Sequence, residues 1–144
     1  MQTQDINVTG YPVRLHPGDD VKHSLARFVD KLKIKAGFVL TGVGSLSKVN
    51  LRLANTTDGE PNDTLVITDK KFEILSIAGT LSQSGTHLHL SLGDNQGKVI
   101  GGHLNAGCIV YTTVEIIIGD LNGFVFERQW DEKTKYKELK AQTI

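Results

Sequence analysis

The segment His87-Leu88-His89-Leu90-Ser91-Leu92 alternates polar and apolar side chains without a break. That period of two fits a strand with one face buried and the other open, and no helix separates the two sets of side chains in this way. Leu88, Leu90 and Leu92 then face a core, while His87, His89 and Ser91 share the opposite face. Gly93-Asp94-Asn95-Gln96-Gly97 follows, with the glycines and Asx residues of a short hairpin loop. Residues 98–103 return as a second strand that carries His103 directly after Gly101-Gly102. Centring the loop on Asn95 pairs Leu92 with Lys98 and His87 with His103. Opposed residues have Cβ atoms about 4.5–5.5 Å apart, a span that two nitrogens on one metal ion can bridge. A slip of one residue would turn His103 to the other face.

Three neutral imidazoles suit Zn²⁺ or a similar divalent ion, and a fourth position left to water is the usual arrangement of a catalytic zinc. Such a position also leaves room for a small-molecule ligand. Glu73 is the candidate catalytic acid or base, because Phe72-Glu73-Ile74 sets a carboxylate beside apolar neighbours on a strand. In the alternative, His87 and His89 merely line a polar sheet face and bond to Ser91 or to backbone carbonyls. Both roles stay open at the level of sequence.

With 144 residues, the chain is expected to form a single domain over 1–144, with its core at about 8–130 and a short C-terminal extension. Its one cysteine, Cys108, lies in Gly107-Cys108-Ile109-Val110 and reads as a small buried hydrophobe rather than a nucleophile. Neither a long apolar run nor a basic-then-apolar leader is present, so a membrane span and a signal peptide are not expected and the cytoplasm is the expected location. Sixteen basic residues balance sixteen acidic ones. Duplex binding draws most of its affinity from neutralised phosphates, so intrinsic affinity for duplex DNA is not expected. Lys31, Lys33 and Lys35 close a helix, and Lys133, Lys135, Lys137 and Lys140 alternate with Asp131, Glu132 and Glu138 as a solvated face.

Residues 8–15 are expected as an opening strand broken by His16-Pro17-Gly18. Asp19 or Asp20 then caps a helix to about Lys33, with Val21, Leu25, Phe28 and Leu32 on its apolar stripe. Strands are expected at 38–41 and 48–53 around Gly42-Val43-Gly44-Ser45, and at 72–81, 86–92, 98–103, 109–118 and 124–130, with residues 55–63 as loop. About seven mostly antiparallel strands and one long helix make an α+β domain. The strand 109–118 is almost wholly apolar or β-branched, so cover on both faces is expected, in the monomer or from a neighbouring subunit. Glu115 within it calls for a partner such as Arg52 or Arg14.

Arg14-Leu15-His16-Pro17-Gly18-Asp19-Asp20, Gly42-Val43-Gly44-Ser45-Leu46, Phe72 to Leu81, His87-Leu88-His89, Gly97 to Leu104 and Thr113-Val114-Glu115 occur in this order. In these motifs, over about residues 10–120, the chain resembles the PPC family, the plants and prokaryotes conserved domain. That resemblance implies an antiparallel sheet and association as a homotrimer. The minor-groove hook of the plant proteins, an Arg-Gly-Arg-Pro core, has no counterpart here, so their DNA-binding role does not carry over directly. The family fold also resembles that of acetolactate decarboxylase, a zinc enzyme with a His-x-His pair and a later histidine. By that resemblance His87, His89 and His103 are the ligands, with Glu73 and Arg52 as nearby polar partners. Two functions follow as expectations: a trimeric binding or assembly domain with a three-histidine metal site, or a zinc-dependent enzyme acting on a small oxo- or hydroxy-acid.

Overall fold

The computed structural model describes residues 5–144. In chain order the elements are β1 (Val8–Leu15), α1 (Val21–Leu32), β2 (Gly37–Arg52), β3 (Thr64–Ile67), β4 (Phe72–Ser82), β5 (Gly85–Gly93), β6 (Val99–Leu104), β7 (Ile109–Leu121), β8 (Phe124–Asp131) and β9 (Tyr136–Thr143). The fold is α+β, as expected. A seven-stranded antiparallel sheet runs β1-β7-β2-β4-β5-β6 with β3 on β2, and β8 and β9 form a separate hairpin. No helix among the described residues is long and apolar enough to cross a membrane.

The main departure from expectation is β2. Gly42-Val43-Gly44-Ser45 does not divide two strands but lies inside one strand of 16 residues. Its register against β7 shifts between Val39 and Thr41 and twice between Gly44 and Lys48. Such irregularities bend a strand and increase its twist without ending it. The bend lets the two halves of β2 serve different neighbours. Gly37, Phe38 and residues 44–46 pair with β4, whereas Leu51 and Arg52 pair with Leu104 and His103 of β6. Because β4 also pairs with β5 and β5 with β6, strands β2, β4, β5 and β6 close into a ring. The short β3, which falls between the expected elements, pairs with the far half of β2.

Leu88, Leu90 and Leu92 of β5 are buried with Leu46, Leu51, Ile74, Leu81 and Leu104 in a continuous core. Each such side chain contributes about 1.5–3 kcal/mol by leaving water, which fixes which face of β5 turns inward. The helix α1 lies across β4 and β5 and buries Val21, Ser24, Leu25 and Val29. Of its expected stripe, Leu32 is left exposed at the last turn. The capping residue is Asp20: one carboxylate oxygen accepts from the His23 backbone N–H at 3.0 Å and the other from that of Gly107 at 2.7 Å. Asp20 thereby ties the helix start to the β6–β7 loop. Cys108 is fully buried, and burial pushes its thiol up to about 11, in line with a packing role.

Within the protomer only one face of strand β7 is covered, which leaves cover of the other to a neighbouring subunit as the remaining expectation. Val110, Val114, Ile116 and Ile118 are buried, while Tyr111 and Ile117 are each 41% exposed. Glu115 is exposed and lies opposite Arg14 across the β1–β7 ladder, so it needs no buried partner. The expected strand at 124–130 is β8, and the C-terminal extension adds β9 to it as a hairpin. Phe126 is buried and its N–H donates to the Lys35 carbonyl at 2.9 Å, which docks the hairpin on the main sheet.

Gly79 marks the closest approach of β4 to β5. It lies opposite Leu88 with φ +141°, and a Cβ there would fall on the carbonyl oxygen of His87. Both the backbone angle and the space therefore call for glycine. Gly79→Ala is expected to lower stability by about 2 kcal/mol or more, read from chemical denaturation as a fall in midpoint.

Candidate metal centre

The ladder between β5 and β6 places His89, not His87, opposite His103, with Leu92 opposite Ile100. The pairing therefore lies two residues from that expected for a loop centred on Asn95. The cause is Asp94, which centres the turn one residue later, on Gln96: its Oδ1 accepts the backbone N–H groups of Gln96 and Lys98, each at 2.9 Å, and its own N–H donates to the Lys98 carbonyl. The Gln96 N–H is the main influence holding the Asp94 carboxyl below its usual range. A shift of two residues restores the side-chain alternation. The three histidines therefore still share a face, with His103 now adjacent to His89.

Their rings cluster tightly. Centroids lie 4.9 Å apart for His87 and His89, 5.1 Å for His87 and His103, and 5.7 Å for His89 and His103. One ring nitrogen from each falls within 4.8 Å of the others. The Nε2 atoms of His87 and His89 are 3.1 Å apart, close to the roughly 3.3 Å separation of two nitrogens bound tetrahedrally to zinc at about 2.0 Å. The donor set thus fits a divalent ion after small rotations of the rings. Ser91 bonds to Ser76, so it is not the histidines' partner.

Two arginines flank the cluster. Arg52, opposite His103 on β2, brings Nη2 to 3.4 Å from His103 Nδ1. Arg128 of β8 brings Nη2 to 3.4 Å from His87 Nδ1 and donates to the Lys137 carbonyl at 2.6 Å. An arginine donates only, so each imidazole accepts at Nδ1 and, when neutral, carries its proton on Nε2. Binding an ion through Nε2 of His87 would require the proton to move to Nδ1 and Arg128 to turn away. The 3.4 Å contacts are long for hydrogen bonds and oppose that change weakly.

Beside the rings opens a cleft of about 340 Å³ lined by Arg52, His87, His103, Arg128, Tyr136, Lys137 and Glu138, among others. A shallower hollow on the side of Ala78 and Thr80 is lined by His87, His89, Arg128 and Glu138. Glu73 is in neither. It stands opposite Gly93, four residues beyond His89 and so about 13 Å along the strand, and lines a separate hollow with Ser45, Lys71 and Tyr111. The β-bulge between Ile74 and Ser76 leaves it on the outer surface at the wrong end of β4. Of the polar partners implied by resemblance, Arg52 is at the histidines and Glu73 is not.

The β9 contribution, Lys137 and Glu138, was hidden in the sequence by charge alternation that reads as solvated surface, and Arg128 of the expected strand 124–130 was not singled out. One signal was available. Arg128 follows Phe126 by two residues and so shares the face of β8 that docks on the sheet.

Burial, more than any neighbour, pulls the His103 imidazole down to about 4, with Arg52 next in influence. Burial also lowers His87, helped by His89 and Arg128. Both are uncharged at neutral pH, the state a metal requires. An unfolded histidine takes up its proton near pH 6.5, while folded His103 refuses it until about pH 4. Metal-free protein is therefore expected to lose stability as the pH falls from about 6.5 toward 4, and His103→Gln to reduce that slope. Melting temperatures of the two proteins across this range measure it.

Comparison with known proteins places this geometry in a lineage. Residues 3–122 match the Plants and Prokaryotes Conserved (PCC) domain. A bifunctional protein GlmU from Synechococcus sp. (strain JA-3-3Ab) is 44% identical over 134 residues, 93% of this chain but only 21% of that protein, so the chain spans about a fifth of that relative's length. A solved structure of a hypothetical protein from Salmonella enterica superposes with a TM-score of 0.88 at 35% identity, covering 99% of both chains. A metal-containing protein from Archaeoglobus fulgidus superposes with a TM-score of 0.80 at 25% identity, covering 96% of this chain and 98% of that one. With residues 3–122 matched and its fold shared with the Salmonella enterica structure, this chain belongs to the Plants and Prokaryotes Conserved domain family.

Proposed function

We propose that this chain is a metal-binding assembly domain that works as a homotrimer in the cytoplasm, with Zn²⁺ or a similar divalent ion held by His87, His89 and His103. The observation that carries the proposal is the convergence of one nitrogen from each histidine within 4.8 Å. The metal-containing relative from Archaeoglobus fulgidus supports it. An assembly role is supported by the relative of which this chain matches only 21%, where a domain of this kind is one part of a larger protein. The one cysteine, buried and free, suits a reducing compartment. Duplex DNA is not the ligand in this proposal, since the chain carries no net charge and the cleft holds only a small molecule.

Self-association has a surface to act through. Leu40, Val43, Leu75 and Ile117 are each more than 40% exposed, and Val43 and Ile117 line a hollow with Pro12 and Val13 on the outer face of β1, β2 and β7. Apolar residues gathered this way favour burial between subunits. The number three comes from the family resemblance, since apolar area alone does not choose a symmetry.

A second function, a zinc-dependent enzyme acting on a small oxo- or hydroxy-acid, is favoured by the cleft that opens beside the histidines. Glu73 is too distant to serve it. Glu138, which lines both hollows at the cluster, is the carboxylate in reach of a ligand there.

Elemental analysis of untagged protein, purified without added metal, is expected to find about one divalent ion per subunit, and His89→Ala is expected to lose most of it. Equal content in the two proteins would remove the site. Sedimentation equilibrium is expected to return three times the chain mass, and a monomer or dimer mass independent of concentration would exclude the trimer.

A further inference from the structure

We propose that the cleft between the histidine cluster and the β8–β9 hairpin is a binding site for a small oxyanion, a carboxylate or a phosphate, gripped by Arg52, Arg128 and Lys137. This deepens the metal proposal and rests on it only for the coordination position left open by three histidines.

Three cations, Arg52, Arg128 and Lys137, line the cleft with one carboxylate, Glu138. Positive charge is thus concentrated in a protein that carries none overall. The ion pairs among the described residues join His23 to Asp20, Lys33 to Asp30, Lys70 to Asp94 and Lys135 to Glu132, and neither Arg52 nor Arg128 takes part in any of them. Two half-buried guanidiniums without a carboxylate are unusual, because a charge withdrawn from water calls for a counter-charge.

The donors are also available. Among the described residues, the side-chain bonds of both arginines use Nη2 alone. No buried side-chain nitrogen or oxygen among the described residues lacks a partner, so the remaining guanidinium N–H groups open to solvent. Their planar forks match the paired oxygens of a carboxylate or phosphate. Arg52 is held in place by the Tyr136 ring, 5.4 Å from guanidinium carbon to ring centroid. Tyr136 in turn donates to Asn62 Oδ1 at 2.7 Å, which fixes that side of the cleft. A volume of about 340 Å³ is at the small end of ligand pockets.

The two sites are coupled. A divalent ion on three neutral imidazoles keeps its full charge, and an oxyanion in the cleft would offset it. If loading turns Arg128 away from His87 Nδ1, that guanidinium is released toward the anion. Metal and anion are then expected to strengthen each other, equally in both directions.

Titration calorimetry with inorganic phosphate and with pyruvate, on metal-free and on zinc-loaded protein, tests the proposal and separates the two chemistries. At least one anion is expected to bind metal-free protein saturably, one per subunit, and more tightly after zinc loading. Arg52→Gln and Arg128→Gln are each expected to weaken that binding about tenfold or more. Lys137→Gln, at an exposed position that tolerates change, is expected to weaken it about threefold and so reads the same cleft should either arginine variant fold poorly. Absence of saturable binding of both anions to both forms, or binding that none of the three substitutions weakens, would overturn the anion site. Metal content, measured on the same samples, is a separate readout: anion binding without zinc uptake would remove the metal proposal alone, and zinc uptake without anion binding would remove the anion site alone.

Discussion

The path of β2 is the constraint on which the rest of the structure depends. A flat strand of 16 residues would have two fixed neighbours along its length. By bending, β2 pairs with β4 through its first part and with β6 through its last, and the four strands between these contacts close on themselves. Closure removes two strand edges and encloses the leucine face of β5. It also brings Arg52, at the end of β2, opposite His103. The glycines serve this arrangement. A Cβ at Gly102 would meet the Arg52 carbonyl oxygen at 2.8 Å, so the close approach of β6 to β2 depends on its absence.

On this frame the outer face of β5 and β6 combines two properties that normally exclude each other. The His87 and His103 imidazoles are withdrawn from water enough to favour the neutral form, yet they stand beside two guanidiniums. The positive charges reinforce the neutral state of the rings, since each arginine disfavours a protonated histidine nearby. Neutral nitrogens within reach of one another are ready ligands, and unpaired arginines are ready anion receptors. The hairpin β8–β9 completes the site by covering one side, so residues far from the histidines in sequence shape what can enter.

Much of this was legible in the sequence. The alternation of His87–Leu92 identified the strand, its buried face and the two histidines on the other. The period of Val21, Leu25 and Phe28 together with Asp20 located the helix and its cap. The shared face of His103 survived an error in register because the true pairing differs by two residues, and Asp94 was the residue whose turn chemistry set that difference. Other features were not legible, for physical reasons. Glycines within a strand mark a bulge as readily as a break, so β2 read as two strands. Glu73 looked apt by residue type, but its distance from the histidines depends on a ladder and a bulge that no local pattern encodes. The exposed face of β7 depends on what lies across it, and the charges of β9 are those of any solvated surface.

X-ray absorption at the zinc edge of zinc-loaded protein tests the central claim most directly. The account predicts three imidazole nitrogens at about 2.0–2.1 Å, with the outer-shell scattering of their rings and one or two oxygens completing the coordination. A shell of oxygens alone, or a spectrum unchanged by His103→Gln, would contradict it.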